Sequence, residues 1–324
     1  MRKYIIKRLI MLIPVLLGVT FIVFLLMYFA PGDPVQMLLG DSATQAEIDA
    51  LTHELGRDKS FWGQFFSYVG GLLRLDFGTS YFTKTSVLKE ILTRFPNTVI
   101  LAVFGCLLSV LIGISTGVIA AVKQYSIFDN IATAIALIGV SMPSFWLGLL
   151  LVMLFALNLK ILPASGSYGP AYFVMPIICL GVNGAANIMR TTRSTMLETI
   201  RQDYIRTARG KGQTEWNVIM HHALKNALIS IVTVIGVLFG NLLGVTTVLC
   251  ETVFAIPGIG KFLIDSIGKR DQPCVMGCVL FMAILFSLVN LGVDILYSYI
   301  DPRIKSQYEN ASKVKKAAVK ESST

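Results

Sequence analysis

Charge is what this sequence has least of. Charged residues make up 15% of it, against about 25% in soluble domains, whose water-facing surface needs them. That is too little to coat a soluble core built from 324 residues. Disorder is excluded for the opposite reason: 54% of the chain is hydrophobic, whereas disordered segments are polar and highly charged. With a mean hydropathy of +0.69, an integral membrane protein remains.

Residues that carry chemistry are also scarce. There are three histidines, His53, His221 and His222, and the adjacent pair would point about 100° apart on a helix. They offer no ligand set for zinc. The five cysteines lie in or beside apolar runs and read as small apolar residues; only Cys274 and Cys278 are close enough in sequence to suggest a pair. Gly-Lys occurs at Gly210-Lys211, Gly260-Lys261 and Gly268-Lys269, but none has the following hydroxyl or the earlier glycine of a phosphate-binding loop. His-Glu-x-x-His does not occur, and Gly-x-Ser-x-Gly occurs only at Gly113–Gly117, inside an apolar run and not at a strand-to-helix turn, so a hydrolase lacks support. No catalytic residue, metal site or cofactor is expected in this chain. Ion-coupled carriers bury ionisable groups at mid-membrane. Here Asp294 is the only acid in an expected span, and pairing with a neighbouring helix or a cytoplasmic Arg is its expected role.

Present instead are six charge-free runs, each long enough to cross a bilayer, which takes about 20 apolar residues. They are Leu9–Gly32, Phe95–Val122, Asn130–Leu159, Ile161–Met189, Asn226–Cys250 and Gln272–Val293. The first follows Arg2, Lys3, Lys7 and Arg8 as a signal peptide would, but its apolar run is too long for one. With the N-terminus inside, 18 of the 28 Lys and Arg residues fall on inner segments, while the outer segments carry 11 of the 19 acids. The positive-inside rule then places both termini in the cytoplasm. The net charge of +9 is thereby explained without nucleic acid.

The expected architecture is all-α, a polytopic membrane protein with six transmembrane helices. Its parts are a cytoplasmic segment 1–8, a first helix over 9–32 and an extracytoplasmic insertion over 33–94. A five-helix core follows over 95–300, with an inner loop at 190–225, then a tail over 301–324 expected to be disordered. Within the insertion, Ile48, Leu51 and Leu55 share one face of a helical stretch, Thr44–Leu55. Phe61-Trp62, Phe65-Phe66, Tyr68 and Phe145-Trp146 read as interface anchors or packing. Pro143, inside the third run, should kink it.

The inner loop reads as a helix–turn–helix. Asp203 is placed to cap a short basic helix, Gly210 and Gly212 permit a reversal, and Thr214 caps the next helix. Ile219, Ala223, Leu224 and Ala227 then form one apolar stripe leading into the fifth run.

Arg206-Thr207-Ala208, Gly212 four residues later and then Leu224 resemble the EAA loop of permease subunits of bacterial ABC importers. Arg206 and Thr207 stand where that pattern has Glu and Ala, and Lys225 where it has Pro. Arg-Thr-Ala-Arg-x-Lys-Gly and His222-Ala223-Leu224-x-Asn226-Ala227 resemble the dipeptide/oligopeptide/nickel branch. Pro31-Gly32-Asp33-Pro34, Asp76–Ser80, Leu162–Gly166, Glu251–Gly260 and Asp301-Pro302-Arg303 occur in family order, so the resemblance runs over residues 1–305. The long segment after the first helix is similar to the first of the two paired permeases.

The resemblance implies a type I permease fold and import of di- or oligopeptides, with nickel or a metal chelate as the alternative cargo. It implies four classes of partner: a second, paralogous permease, two ATP-binding subunits that hold ATP and Mg, an extracytoplasmic substrate-binding protein, and membrane lipid. The chain itself would be no enzyme. Arg206, Thr207, Ala208, Arg209, Gly210, Lys211 and Gly212 would dock on the ATP-binding subunit, the two arginines meeting acidic or carbonyl groups. Glu251, Phe254, Pro257, Gly258 and Gly260 would form either a structural turn or a gate or binding-protein contact, with Glu251 open to a peptide amino group or a partner's Arg.

Overall fold

A computed structural model of the chain describes residues 2–40 and 42–300, the side chains of 2–5, 7 and 296–300 excepted. The expected tail, 301–324, lies outside the described residues. The described residues are organised as helices α1 Arg2–Phe29, α2 Pro34–Leu39, α3 Gln45–Glu54, α4 Phe61–Leu72, α5 Val87–Val122, α6 Ile127–Ser141, α7 Ser144–Asn158, α8 Ala171–Ile200, α9 Asp203–Gly210, α10 Glu215–Val253, α11 Ile259–Gly268 and α12 Gln272–Ile300. α7 ends in a π-helical stretch, and α10 contains two, at Val218–Leu224 and Leu242–Thr246.

Five of these, α1, α5, α8, α10 and α12, are each long and apolar enough to span a membrane, and α6 with α7 makes a sixth if the pair is one crossing. The two halves of that pair meet at 104°. A hydrogen bond bears on how that pair runs. Gly166 N, just after α7, donates to Phe254 O at 2.9 Å. Phe254 follows Glu251, which is bonded to Thr98 near the start of α5, whereas α6 begins five residues after α5 ends. Between Ser126 and Gly166 the chain therefore returns from the far end of α5 to the Thr98 end, as a bent span made of α6 and α7 would.

The break differs from the expected kink. Pro143 starts a new helix instead of bending one, because it lacks the N–H to continue α6. The carbonyls this leaves at the end of α6 are met from α8: Asn183 Nδ2 lies 3.2 Å from Gly139 O and 3.4 Å from Met142 O. Three other boundaries also differ. The charge-free run from Ile161 becomes helical only at Ala171, since Pro163, Gly166 (φ 112°), Gly169 (φ 144°) and Pro170 break it. α8 then continues to Ile200 beyond Arg190 and Arg193, and α10 extends the fifth run to 39 residues. At 1.5 Å per residue α10 rises about 58 Å, well over a bilayer core of about 30 Å.

The core is the parallel pair α5 and α8, with Gly105 against Leu180, Gly113 against Ile188 and Gly117 against Thr192. In a membrane, helices gain from close packing of small residues because lipid removes the hydrophobic drive. A Cβ on Gly113 would stand 2.6 Å from Ile188 Cβ, and one on Gly117 2.6 Å from Thr192 Cβ, so neither position takes a larger residue. Ser109 Oγ crosses the same interface to Gly181 O at 3.0 Å. Around this seam pack α10, with Leu242, Leu243 and Ile231 fully or nearly buried, and α12, with Cys274 and Cys278 fully buried. All five cysteines are free and buried.

The insertion is tied down at both ends. Thr44 and Glu47 form a capping box that starts α3, and Ile48, Leu51 and Leu55 are half-buried. On α4, Phe61 and Phe65 meet Phe24 of α1 with ring centroids 5.1 and 5.4 Å apart, so those aromatics pack within the chain. Ser80 Oγ donates to the buried Asp271 at 2.5 Å, anchoring the end of the insertion to the start of α12.

Candidate functional site

Two regions hold the residues singled out by the sequence. The first is the hairpin of α9 and the start of α10. Ile205 and Ala208 bury one face of α9 against Val218, Ile219 and Ala223 of α10, Met196 of α8 and Ala121 of α5. Leu224 packs partly buried against the same cluster, so the expected stripe is one side of a core. Gln202, not Asp203, occupies the N-cap, and Asp203 is the first helical residue. Gly210 is helical; the reversal rests on Gly212 alone, at φ 75°, whose amide donates to Arg209 O at 2.9 Å. Thr214 Oγ1 accepts from Asn217 N at 3.4 Å to begin α10.

The exposed face of the hairpin separates the two arginines. Arg206 is 78% exposed and only loosely placed, 3.9 Å from Asp203. Arg209 instead makes a two-point pair with Glu215, Nε to Oε1 at 2.8 Å and Nη2 to Oε2 at 3.2 Å, closing the hairpin across its turn. Gln213 Oε1 bonds Asn217 Nδ2 at 2.9 Å and His222 Nε2 at 2.7 Å from beneath. Tyr204, Thr207, Gly210, Lys211 and Trp216 are exposed beside Arg206.

The second region is the opposite end of α10. Glu251 lies inside the helix and is completely buried. Thr98 Oγ1 donates to its Oε1 at 2.7 Å and the Lys261 amide to its Oε2 at 2.9 Å. Lys261 is the third residue of α11, so Glu251 caps α11 from another helix. Thr98 Oγ1 in turn accepts from Ile259 N at 3.0 Å. A Cβ on Gly258 would overlap the Glu251 carboxyl, and one on Gly260 would stand 2.5 Å from Val248 Cα. Phe254 is buried against Gly148 of α7, and Pro257 is exposed, its carbonyl held by Asn97 Nδ2 at 2.9 Å. Both Glu251 oxygens therefore accept hydrogen bonds from within the chain, the arrangement of a structural turn.

Asp294, near the C-terminal end of α12, pairs with Arg8 of α1 at 3.0 Å, the neighbouring-helix partner expected of it. The sequence reading missed the Asp129–Arg193 pair and the role of Asn183. A signal for α8 was present: Asn183, Asn187, Arg190 and Ser194 recur at helical spacing.

The family model described as "Binding-protein-dependent transport system inner membrane component" matches residues 113–306. A companion for the N-terminal part of such membrane components matches residues 1–102. The chain is 40% identical to the dipeptide transport system permease protein DppB of Alkalihalophilus pseudofirmus, over 94% of this chain and 100% of that one. It is 41% identical to the di/tripeptide transport system permease protein DppB of Pseudomonas aeruginosa, over 95% and 100%. For the glutathione transport system permease protein GsiC of Escherichia coli the identity is 38%, over 94% and 99%. In fold, the chain is similar to one in the MetNI methionine ABC transporter, with a TM-score of 0.53 and 18% identity over 66% of this chain and 97% of that one. The chain belongs to the binding-protein-dependent transport system inner membrane components, as a multi-pass ABC importer permease of the dipeptide/oligopeptide branch.

Proposed function

We propose that this chain is the first of two paired permeases that together form a passage for di- or oligopeptides. The observation that carries the reading is the end-to-end identity of 40–41% with permeases named for dipeptides and di/tripeptides. A nickel cargo is not favoured. A substrate-binding protein delivers the peptide outside, and two ATP-binding subunits hold ATP and Mg inside; this chain supplies no ATPase site. Both termini are cytoplasmic, which the basic excess on the inner segments supports.

The hairpin is the docking surface, with Arg206, Thr207, Gly210 and Lys211 outward. Arg209 acts from within it, holding the turn through Glu215. α9 follows α8 after only Arg201 and Gln202, and its buried face shares a core with Met196 and Ile188 of α8. A displacement of the hairpin on ATP binding therefore moves α8 as a body, the rigid-element gating of alternating access. ATP favours one state only through contacts that differ between states, and the hairpin is where those contacts reach this chain. At the outer end, Glu251, Thr98, Gly258 and Gly260 hold the segment from Phe254 to α11 in place, with Pro257 facing outward for a binding-protein contact.

The test is ATPase activity of the reconstituted complex, titrated with its binding protein loaded first with short peptides and then with nickel chelates. Stimulation by peptides is expected. Stimulation by chelates alone would replace the cargo, and no ATPase with all partners present would remove the importer reading.

A further inference from the structure

The exposed face of α8 changes character along its length. Its outer half presents Ala171, Val174 and Val182, and its inner half Asn187, Arg190, Ser194 and Glu198. Polar and charged side chains on a span face a water-filled cavity or a partner, because lipid cannot satisfy them. Two clefts follow this inner half. One, of about 560 Å³, is lined by Thr133 of α6 with Asn187, Arg190, Thr191 and Ser194. The other, of about 450 Å³, shares Arg193 and Ser194 with it and continues past Glu198 to Gln202, next to the hairpin.

The two arginines of the first cleft differ. Arg193 is engaged by the buried Asp129. Arg190, one turn deeper, makes no ion pair among the described residues and is exposed to the cleft. A guanidinium held in that position, ringed by the neutral donors of Asn187, Ser194 and Thr133, suits an anionic oxygen that arrives and leaves. We propose that this face of α8 lines the inner half of the passage and that Arg190 receives the carboxylate of the peptide in transit. The inference rests on the peptide reading above. The neutral surroundings matter, since a fixed carboxylate there would occupy Arg190 permanently.

The experiment uses the full complex in proteoliposomes, measuring uptake of a labelled dipeptide against the concentration of loaded binding protein. Arg190→Gln is expected to lower maximal uptake roughly tenfold, as loss of a charge-assisted contact does, with the half-saturating binding-protein concentration unchanged. Arg190→Lys is expected to restore most of it. Unchanged uptake by Arg190→Gln would overturn the proposal, as would loss of the second permease on purification, which would make Arg190 an interface residue. Wild-type uptake that falls to the variant's level when anionic lipids are replaced by phosphatidylcholine would assign Arg190 to an anionic lipid headgroup instead. If wild-type complex takes up chelates and no peptide, the peptide reading itself fails and this inference with it.

Discussion

Arg193 grips Asp129 through two hydrogen bonds, Nε to Oδ1 at 2.5 Å and Nη2 to Oδ2 at 2.8 Å, tying the first turn of α6 to the inner half of α8. Asp129 is 1% exposed and also accepts from Tyr125 N at 2.9 Å, so the turn between α5 and α6 is held by the same carboxylate.

Removing one partner of such a pair leaves a buried charge uncompensated. Asp129→Ala is expected to destabilise the permease by about 3 kcal/mol, the low end for buried pairs because Arg193 keeps some solvent contact. Asp129→Asn combined with Arg193→Gln should recover part of the loss. Thermal unfolding in detergent of Asp129→Asn, Arg193→Gln and the double variant measures it, and additive losses would refute the coupling.

The cap on α11 predicts a local effect. Glu251→Gln keeps the volume, but its amide cannot accept from both Thr98 and Lys261 as the carboxylate does. A loss of about 1–2 kcal/mol is expected, confined to this segment. Hydrogen exchange at the Ile259 to Lys261 amides should quicken while α5 and α8 stay protected.

At the α5–α8 seam, Gly117→Val should cost about 1–3 kcal/mol through overpacking, as its side chain meets Thr192 and the Met189 carbonyl. Gly18→Val on α1, with nothing within 4 Å of the added carbon, serves as the control. Yield of folded protein after size exclusion would separate the two.

The hairpin arginines should behave differently. Arg206→Glu is expected to leave the unfolding temperature within error and to reduce recovery of the ATP-binding subunits on purification. Arg209→Ala opens the turn, and because its Glu215 partner is exposed the expected cost is about 0.2–1 kcal/mol. A double-mutant cycle with Glu215→Ala measures that coupling. Equal effects of the two single variants on subunit recovery would contradict the division of roles.

Local pattern made part of this fold legible. The Thr44 capping box, the apolar stripe from Ile219 to Ala227 and the charge-free runs are written in neighbouring residues. For Asp294 the kind of partner was legible, a neighbouring helix or an Arg, but not that it would be Arg8. What stayed hidden depends on distant partners. Glu251 borders a charge-free run, which suggests exposure, yet Thr98, 153 residues away, buries it. Asp129 and Arg193 stand 64 residues apart. Hydropathy also counts charge and ignores backbone freedom, so Ile161 to Pro170 resembled a span until its glycines and prolines were seen to prevent a helix.

The 104° turn at Pro143 has a consequence for the lipid around this flank. α6 alone has 15 residues, a rise of about 22 Å, where neighbouring spans are long enough for a hydrocarbon layer of about 30 Å. α7 then turns away from the α6 axis with Phe145, Trp146, Leu149 and Met153 exposed. A short helix that ends in so sharp a bend meets acyl chains that shorten or tilt along this flank, and membrane thickness becomes one of the forces acting on α6.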